Sequence, residues 1–125
     1  MEVFKVKIAA VIDNDEKIVP IVEGVEIRIY NTETSEYIDY PNPALELDEG
    51  RRGATLNFAD NKGVTVFVAP PETFCELSYD KARKEHFRFY NLDSKLAFKQ
   101  FEQKLIKGEI KLQESLPKPE IVPSN

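Results

Sequence analysis

The chain has 125 residues, a net charge of −5 and a single cysteine. This length suits one domain with its own core, and one cysteine excludes an intrachain disulfide framework. Basic residues are fewer than acidic ones and lie among them, so nucleic acid is not an expected partner. The sequence has no membrane-spanning apolar run and no signal-peptide pattern, so we expect a cytoplasmic protein that has no membrane partner. The abundance of lysine and glutamate is compatible with a thermophilic source.

Three strands are predicted in the first third of the chain. Residues 3–12 begin with alternation and end apolar on both faces, which is typical of a central strand. Residues 25–30 alternate cleanly and predict a half-exposed strand with Arg28 and Tyr30 on its exposed face. Residues 36–40 follow a hairpin-type turn and are expected to pair back against that strand.

Helices and strands alternate through the rest of the chain. Thr73 and Glu76 have the spacing of a capping box, and Phe101 lies in the middle of the apolar stripe of the last helix. The final stretch contains three prolines and no periodic apolar pattern, which predicts a flexible tail. The predicted elements are a helix at 51–61, a strand at 64–69, a helix from Thr73 to Lys84, a strand at 86–90, a helix from Asp93 to Gly108 and a tail at 113–125.

This order of elements, β-β-β-α-β-α-β-α, predicts a single three-layer α/β domain over residues 1–112. An antiparallel meander of three strands leads into a parallel half through crossover helices. The simplest arrangement is a five-stranded mixed sheet of order 3-2-1-4-5 with helices on both faces.

Cys75 is the most interesting candidate for chemistry. If Thr73 caps the second helix, Cys75 lies in its first turn, just beyond the carboxyl end of the fourth strand. Open α/β sheets place ligands at that edge, and the amides of a helix N-terminus stabilise a thiolate. The alternative is a small apolar side chain that fills the gap between helix and sheet.

Other polar residues offer weaker signals. His86, the only histidine, has no companion ligands near it in sequence, so a surface position is expected. The acidic stretches 13–16 and 46–49 are interpreted as solvated turns. Arg51 and Arg52 could meet an acidic ligand at the start of a helix, or could simply pair with nearby acids. Because no nucleophile–base pair or metal-ligand set can be assembled, an enzyme is not expected.

Five segments of the chain carry a family pattern: residues 8–11 with the polar turn that follows, 27–34, 41–44, 53–69 and 97–110. Together they resemble the NifX/NifB-type family, the dinitrogenase iron–molybdenum cofactor biosynthesis domain. The resemblance covers roughly residues 3–112 and lies in spacing and core pattern more than in unique residues. It implies a ribonuclease-H-like core.

The resemblance also implies a function and a site. Family members bind or carry the iron–molybdenum cofactor, its precursors or iron–sulfur material, and are not catalytic as isolated domains. Glu23 and Gly24 occupy the place of the family's His-Phe-Gly-Arg-like motif, which is shortened here and lacks histidine. Thr73 and Cys75 follow Pro70-Pro71, where the family has a Gly-Gly pair. These four residues are the predicted cofactor-binding residues. The alternative is an interaction or regulatory domain that kept the fold and lost the ligand site.

Overall fold

The computed structural model describes residues 6–123, which form one mixed sheet of eight strands and three α-helices. No helix in this range is long and apolar enough to cross a membrane. The helices are α1 (Arg51–Asn61), α2 (Glu76–Lys84) and α3 (Phe98–Lys107). The strands are β1 (Lys7–Ile12), β2 (Lys17–Ile18), β3 (Glu26–Asn31), β4 (Glu36–Pro41), β5 (Val66–Ala69), β6 (Arg88–Asn91), β7 (Leu96–Ala97) and β8 (Leu112–Gln113).

Six strands are neighbours in the order β4-β3-β1-β5-β6-β8. The short strand β2 pairs with β1 on one side and with β7 on the other. The five longer strands therefore lie in the predicted order, with β1 in the interior of the sheet. β1, β5 and β6 are parallel, whereas β3 and β4 form the antiparallel part. The predicted number of five strands is wrong, because the sheet also contains β2, β7 and β8, which have two residues each. Two residues are too few to give a periodic pattern in the sequence.

Helices cover both faces of the sheet and create two apolar layers. α1 and α2 pack on one face, where Leu56, Ala59 and Ala82 join alternate residues of the strands. α3 packs on the other face through Phe98 and Phe101. Alternation of side chains along each strand divides the strand residues between the two layers. The three-layer arrangement thus follows from strands that are apolar on both faces.

The third helix begins later than predicted. Asp93 does not cap it, because the chain first forms β7, which pairs with β2. The helix runs from Phe98 to Lys107, and Gly108 caps its C-terminus with a left-handed backbone (φ 69°), as predicted. The predicted strands at 64–69 and 86–90 are observed as β5 and β6 with shifted ends. Residues 3–5 of the predicted first strand lie outside the described residues.

Arg28 and Tyr30 are buried, contrary to the prediction of an exposed face on β3. α3 crosses that face and places Phe98 against both side chains, with ring centroids of Tyr30 and Phe98 5.6 Å apart. The Arg28 guanidinium contacts the rings of Tyr37 and Phe98, 3.8 and 4.8 Å from their centroids, and these two rings also contact each other. It also donates two hydrogen bonds to Asp39, at 2.8 and 2.9 Å. A charged residue is therefore part of the helix–sheet interface.

The segment after α3 makes specific contacts with the rest of the domain. β8 pairs with β6, and the side chains of Leu116 and Ile121 pack against the apolar layer under α1 and α2. Val122 donates its N–H to the Phe74 carbonyl oxygen and accepts the N–H of Glu76, both at 2.9 Å. These contacts favour a docked segment over the flexible tail predicted from the sequence, and the truncation described below distinguishes the two.

Candidate functional site

Two helix N-termini lie close together at one edge of the sheet. β4 runs parallel to β1 and β5, since β3 lies antiparallel between β4 and β1. The loops that follow β4 and β5 therefore emerge at the same edge, and they lead into α1 and α2 respectively. The positive ends of both helix dipoles face this region.

A cavity of about 390 Å³ lies between these two helix starts. Within the described part of the chain it is lined by three cationic side chains and by no carboxylate, in a protein whose net charge is −5. Its lining also includes a thiol and a hydroxyl group. The lining residues are Gly50, Arg51, Arg52, Gly53, Cys75, Leu77, Ser78, Lys81 and Pro123.

The three cations of this cavity differ in how they are held. Arg51 donates to the carbonyl oxygens of Ala44 and Val22, at 2.9 and 3.4 Å. Lys81 forms an ion pair of 3.3 Å with Glu85, one helical turn further on. The Nε atom of Arg52 is buried and has no hydrogen-bond partner among the described residues. Such a buried donor carries a desolvation cost, and in the part of the chain that the structure describes Arg52 is the one cation of the three with an unsatisfied buried donor.

Cys75 is the N-cap residue of α2, and the predicted capping box of Thr73 and Glu76 is wrong. Ser78 completes the observed box, because its hydroxyl oxygen accepts the backbone N–H of Cys75 at 3.0 Å. The Cys75 Sγ lies 3.2 Å from the Ser78 Oγ, and the residue is half-buried. The buried Thr73 hydroxyl instead donates to the Pro70 carbonyl oxygen at 2.8 Å, which closes the turn after β5.

Glu23 and Gly24 do not line this cavity. Glu23 is exposed and forms an ion pair of 2.7 Å with Lys95. Gly24 is buried, and an added Cβ would collide with the Val11 side chain and lie 3.0 Å from the Ile12 carbonyl oxygen. Close packing against β1 therefore accounts for glycine at this position. Of the four predicted cofactor-binding residues, only Cys75 faces the cavity.

Asn42 ties the turn that contains Gly24 to α1. Its side-chain amide donates to the carbonyl oxygens of Ile21 and Gly24, at 2.8 and 3.0 Å. Its side-chain oxygen accepts the Thr55 hydroxyl at 2.7 Å. The Asn42 side chain is buried, and both its amide nitrogen and its oxygen are hydrogen-bonded. It therefore fixes the start of α1 relative to the sheet, and so positions Arg51 and Arg52.

The other candidate ligands remain apart from this cavity. His86 is exposed and follows α2 with a left-handed backbone (φ 64°). Asp13 accepts the N–H groups of Asp15 and Lys17, which closes the turn of the first acidic stretch, and Glu16 of that stretch pairs with Arg28 at 2.9 Å. Within residues 6–123, no three His, Cys, Asp or Glu side chains come together as a metal site would require.

A larger groove, of about 970 Å³, runs between α2 and the segment 116–123. Its walls are mainly apolar, with Tyr79, Leu116 and Ile121 among them, and the charges on its rim carry both signs. The smaller cavity has the converging cations and the thiol, so it is the better candidate for a charged ligand, while the groove is suited to apolar contact.

The fold has relatives among solved structures, although no protein-family model and no curated protein matches the sequence. The apo form of the orange protein from Desulfovibrio gigas superimposes with a TM-score of 0.74 at 12% identity, covering 94% of this chain and 100% of that one. The two chains share one fold. Sequence identity this low establishes no shared ligand.

Two further solved structures have the same architecture. One is a protein from Thermotoga, provisionally assigned as a NifB protein of the DUF35 family, with a TM-score of 0.65 at 11% identity, covering 90% of this chain and 97% of that one. The other, from Methanocaldococcus jannaschii, is provisionally assigned as a dinitrogenase and has a TM-score of 0.63 at 15% identity, covering 92% and 100% of the two chains. The expected likeness to proteins of this kind therefore holds at the level of the fold.

Sequence reasoning identified Cys75, and it considered both arginines, but it missed Ser78 and Lys81. With the cap placed at Cys75, Ser78 takes the N3 position and Lys81 follows Ser78 by three residues, a spacing at which helical side chains are neighbours. The error of two residues in the helix start concealed this relation.

Proposed function

We propose that this protein is a non-catalytic binding or carrier module for an anionic metal cluster, and that the cavity between α1 and α2 receives the cluster. The proposal includes membership of the NifX/NifB-type family and its ribonuclease-H-like core. The observation that carries it is the convergence of Arg51, Arg52 and Lys81, with no carboxylate from the described residues, in an acidic protein.

Charge supports an anion in this cavity. Two helices begin here, and the positive ends of their dipoles favour a negative charge. Arginine donates several hydrogen bonds in a fixed planar geometry, and the buried Arg52 Nε lacks a partner among the described residues. An anionic ligand would offset the desolvation cost of this guanidinium by pairing with its positive charge.

The donor set also limits the kind of cluster. Iron–sulfur clusters assembled on a protein are usually held by four cysteine thiolates, whereas this chain has only Cys75. One thiolate and three cations fit a preassembled sulfide-containing cluster that is held mainly by charge. Transient holding of this kind suits a carrier, because a cluster with one covalent ligand can be passed on.

Two of the solved neighbours carry names that relate them to nitrogenase, a NifB protein and a dinitrogenase. Together with the family resemblance of the sequence, these names support a role in handling iron–sulfur or iron–molybdenum material. Partners would then be the cluster itself and a protein that donates or accepts it.

Anaerobic incubation with a preassembled iron–sulfide cluster that carries exchangeable small-molecule thiolate ligands tests this function. After removal of unbound metal, the wild-type protein should retain iron and sulfide and show charge-transfer absorption in the visible range. Cys75→Ser removes the soft ligand and Arg52→Gln removes a cation from the lining, so each should lower the retained iron several-fold.

Lys84→Gln provides the matched control. Lys84 also lies on α2, is exposed and pairs with Asp80, and it does not line the cavity. This variant should retain as much iron as the wild-type protein. Failure of the wild-type protein to retain iron, or equal retention by Arg52→Gln and the wild type, would contradict the proposal.

A protein-interaction or regulatory domain is the second candidate. The groove of about 970 Å³ beside α2 favours it, since its apolar wall is suited to a protein segment. A wild-type protein that binds no iron under anaerobic loading would support this candidate over the first.

A further inference from the structure

The outer strand β4 has an uncovered edge. It pairs with β3 on one side, and no other strand of residues 6–123 pairs with its outer side. Ile38 and Tyr37 on this strand are 60% and 47% exposed. An exposed edge with apolar side chains is a template for pairing with another strand.

The outward-facing backbone groups of β4 can be assigned. Asn42, which follows β4, donates its N–H to the Val25 carbonyl oxygen at 3.1 Å. Backbone groups alternate in direction along an antiparallel ladder, so the even-numbered residues of β4 face β3. Tyr37 and Asp39 therefore direct their N–H and C=O groups outward. Pro41 also faces outward, and it has no N–H to donate.

We propose that β4 pairs with β4 of a second copy, antiparallel and centred on Ile38, to form a twofold-symmetric dimer with a continuous sheet. In this register the backbone of Tyr37 exchanges hydrogen bonds with the backbone of Asp39 in the second copy. By symmetry, Asp39 does the same with Tyr37 of the second copy. All outward groups of 37 and 39 are then used, and Pro41 lies beyond the paired residues.

Neighbouring registers fit less well. Centring on Asp39 would place two carboxylates directly opposite each other, which is destabilising, and would bring Pro41 into the ladder. Centring on Tyr37 would shift the paired stretch into the hairpin turn that precedes β4. The Ile38 register is the one that pairs residues 36–40 and leaves both Pro41 and the turn outside the ladder.

Charge complementarity also supports a second copy as the partner. Ile38 faces the same side of the sheet as Glu36 and Tyr40, and the Lys62 ammonium lies 4.7 Å from the Tyr40 ring centroid. The Ile38 register puts Glu36 opposite Tyr40 of the second copy, and thus near its Lys62. Twofold symmetry repeats this acid–base contact, while the two Ile38 side chains meet at the centre.

A contact made by one strand from each copy is small, so the dimer should be weak and dependent on concentration. Sedimentation velocity should show the wild-type protein shifting from monomer to dimer between micromolar and millimolar concentration. Ile38→Lys should remain monomeric, because a lysine at the centre of the edge opposes pairing. Leu77→Lys, at a 74% exposed position on α2, is the matched control and should dimerise like the wild type.

A disulfide tests the register. In a background of Cys75→Ser, Ile38→Cys should form an intermolecular disulfide under mild oxidation, because directly opposed residues outside the hydrogen-bonded pairs have suitable Cα separations. Leu77→Cys in the same background should cross-link much less. A wild-type protein that is monomeric throughout, an Ile38→Lys variant that dimerises, or equal cross-linking at both positions would overturn the proposal.

Discussion

Gly24 is a predicted ligand-binding residue at which packing alone already requires glycine. Its missing Cβ allows β1 and the turn at 21–24 to approach, with the Val11 side chain in the space that a Cβ would need. Sequence resemblance alone could not separate these explanations, because both require a small residue.

We expect Gly24→Ala to lower the free energy of unfolding by about 1–3 kcal/mol, as overpacking of a core does. Gly53 is the matched control, because it lies within α1 and no heavy atom is within 4 Å of the position that a Cβ would take. Gly53→Ala should raise stability by about 0.5–1 kcal/mol. Urea denaturation measures both, and an unchanged stability for Gly24→Ala would contradict the packing assignment.

Arg28 is the buried charge that holds the hairpin of β3 and β4 under α3. Burial alone would lower the pKa of Arg28, but hydrogen bonds to Asp39 and Glu16 outweigh this effect and raise it above the ordinary value. A raised pKa of a basic group gives stability that is present below the unfolded value and is lost only as pH rises through the folded value. Since both values are strongly alkaline, Arg28 itself should cause no pH dependence near neutrality.

Removal of the Arg28 guanidinium should lower the free energy of unfolding. Arg28→Ala leaves the Asp39 carboxylate without the guanidinium and leaves a gap beside the rings of Tyr37 and Phe98. Because Glu16 is 60% exposed and its pair is screened, we expect a loss of about 2–3 kcal/mol. Arg28→Lys should lose less, since the charge remains while the two-pronged hydrogen bond does not. Lys84→Ala is the control at an exposed position, and urea denaturation measures both variants. If Arg28→Ala lowered the free energy of unfolding by less than Lys84→Ala does, Arg28 would not hold the hairpin in this way.

At the scale of elements, the apolar stripe of α3 was predictable and its start was not. The stripe has a helical period that the sequence displays. The start depends instead on the pairing of β7 with β2, in which Leu96 lies opposite Ile18, a residue far away in the chain. Local capping signals at Asp93 could not reveal that distant pairing.

Phe101 lies at the centre of that stripe and is fully buried. Phe101→Ala should lower the free energy of unfolding by about 3–5 kcal/mol, because it leaves a cavity between α3 and the sheet. Ile106→Ala on the same helix is the control, since Ile106 is 65% exposed. Chemical denaturation should show a much larger loss of unfolding free energy for Phe101→Ala than for Ile106→Ala. Small and similar losses for the two variants would show that the buried face of the helix is misassigned.

The C-terminal segment gives a second prediction at this scale. Truncation after Leu112 removes the packing of Leu116 and Ile121 and the hydrogen bonds of Val122. Partial burial of two large aliphatic side chains predicts a loss of about 2–3 kcal/mol, seen as a lower melting temperature. Ile121→Ala should reproduce part of this loss. An unchanged melting temperature after truncation would instead support the flexible tail that composition predicts.

At the scale of the whole molecule, the order of the long strands could be predicted because each has a distinct apolar pattern. β1 is apolar on both faces and thus central, and short crossovers leave few places for β5 and β6. The burial of Arg28 could not be predicted, since the helix that covers it comes much later in the chain. The cavity was equally hidden, because it depends on α1 and α2 starting side by side.

The central claim is that an anionic metal cluster occupies the cavity between α1 and α2. Anomalous diffraction at the iron absorption edge, from crystals of the protein loaded with a preassembled iron–sulfide cluster, tests it most directly. We expect an anomalous peak for iron within bonding distance of the Cys75 Sγ and beside the Arg52 guanidinium. A peak elsewhere, such as at His86 or in the groove beside α2, or loaded crystals without an anomalous peak, would contradict it.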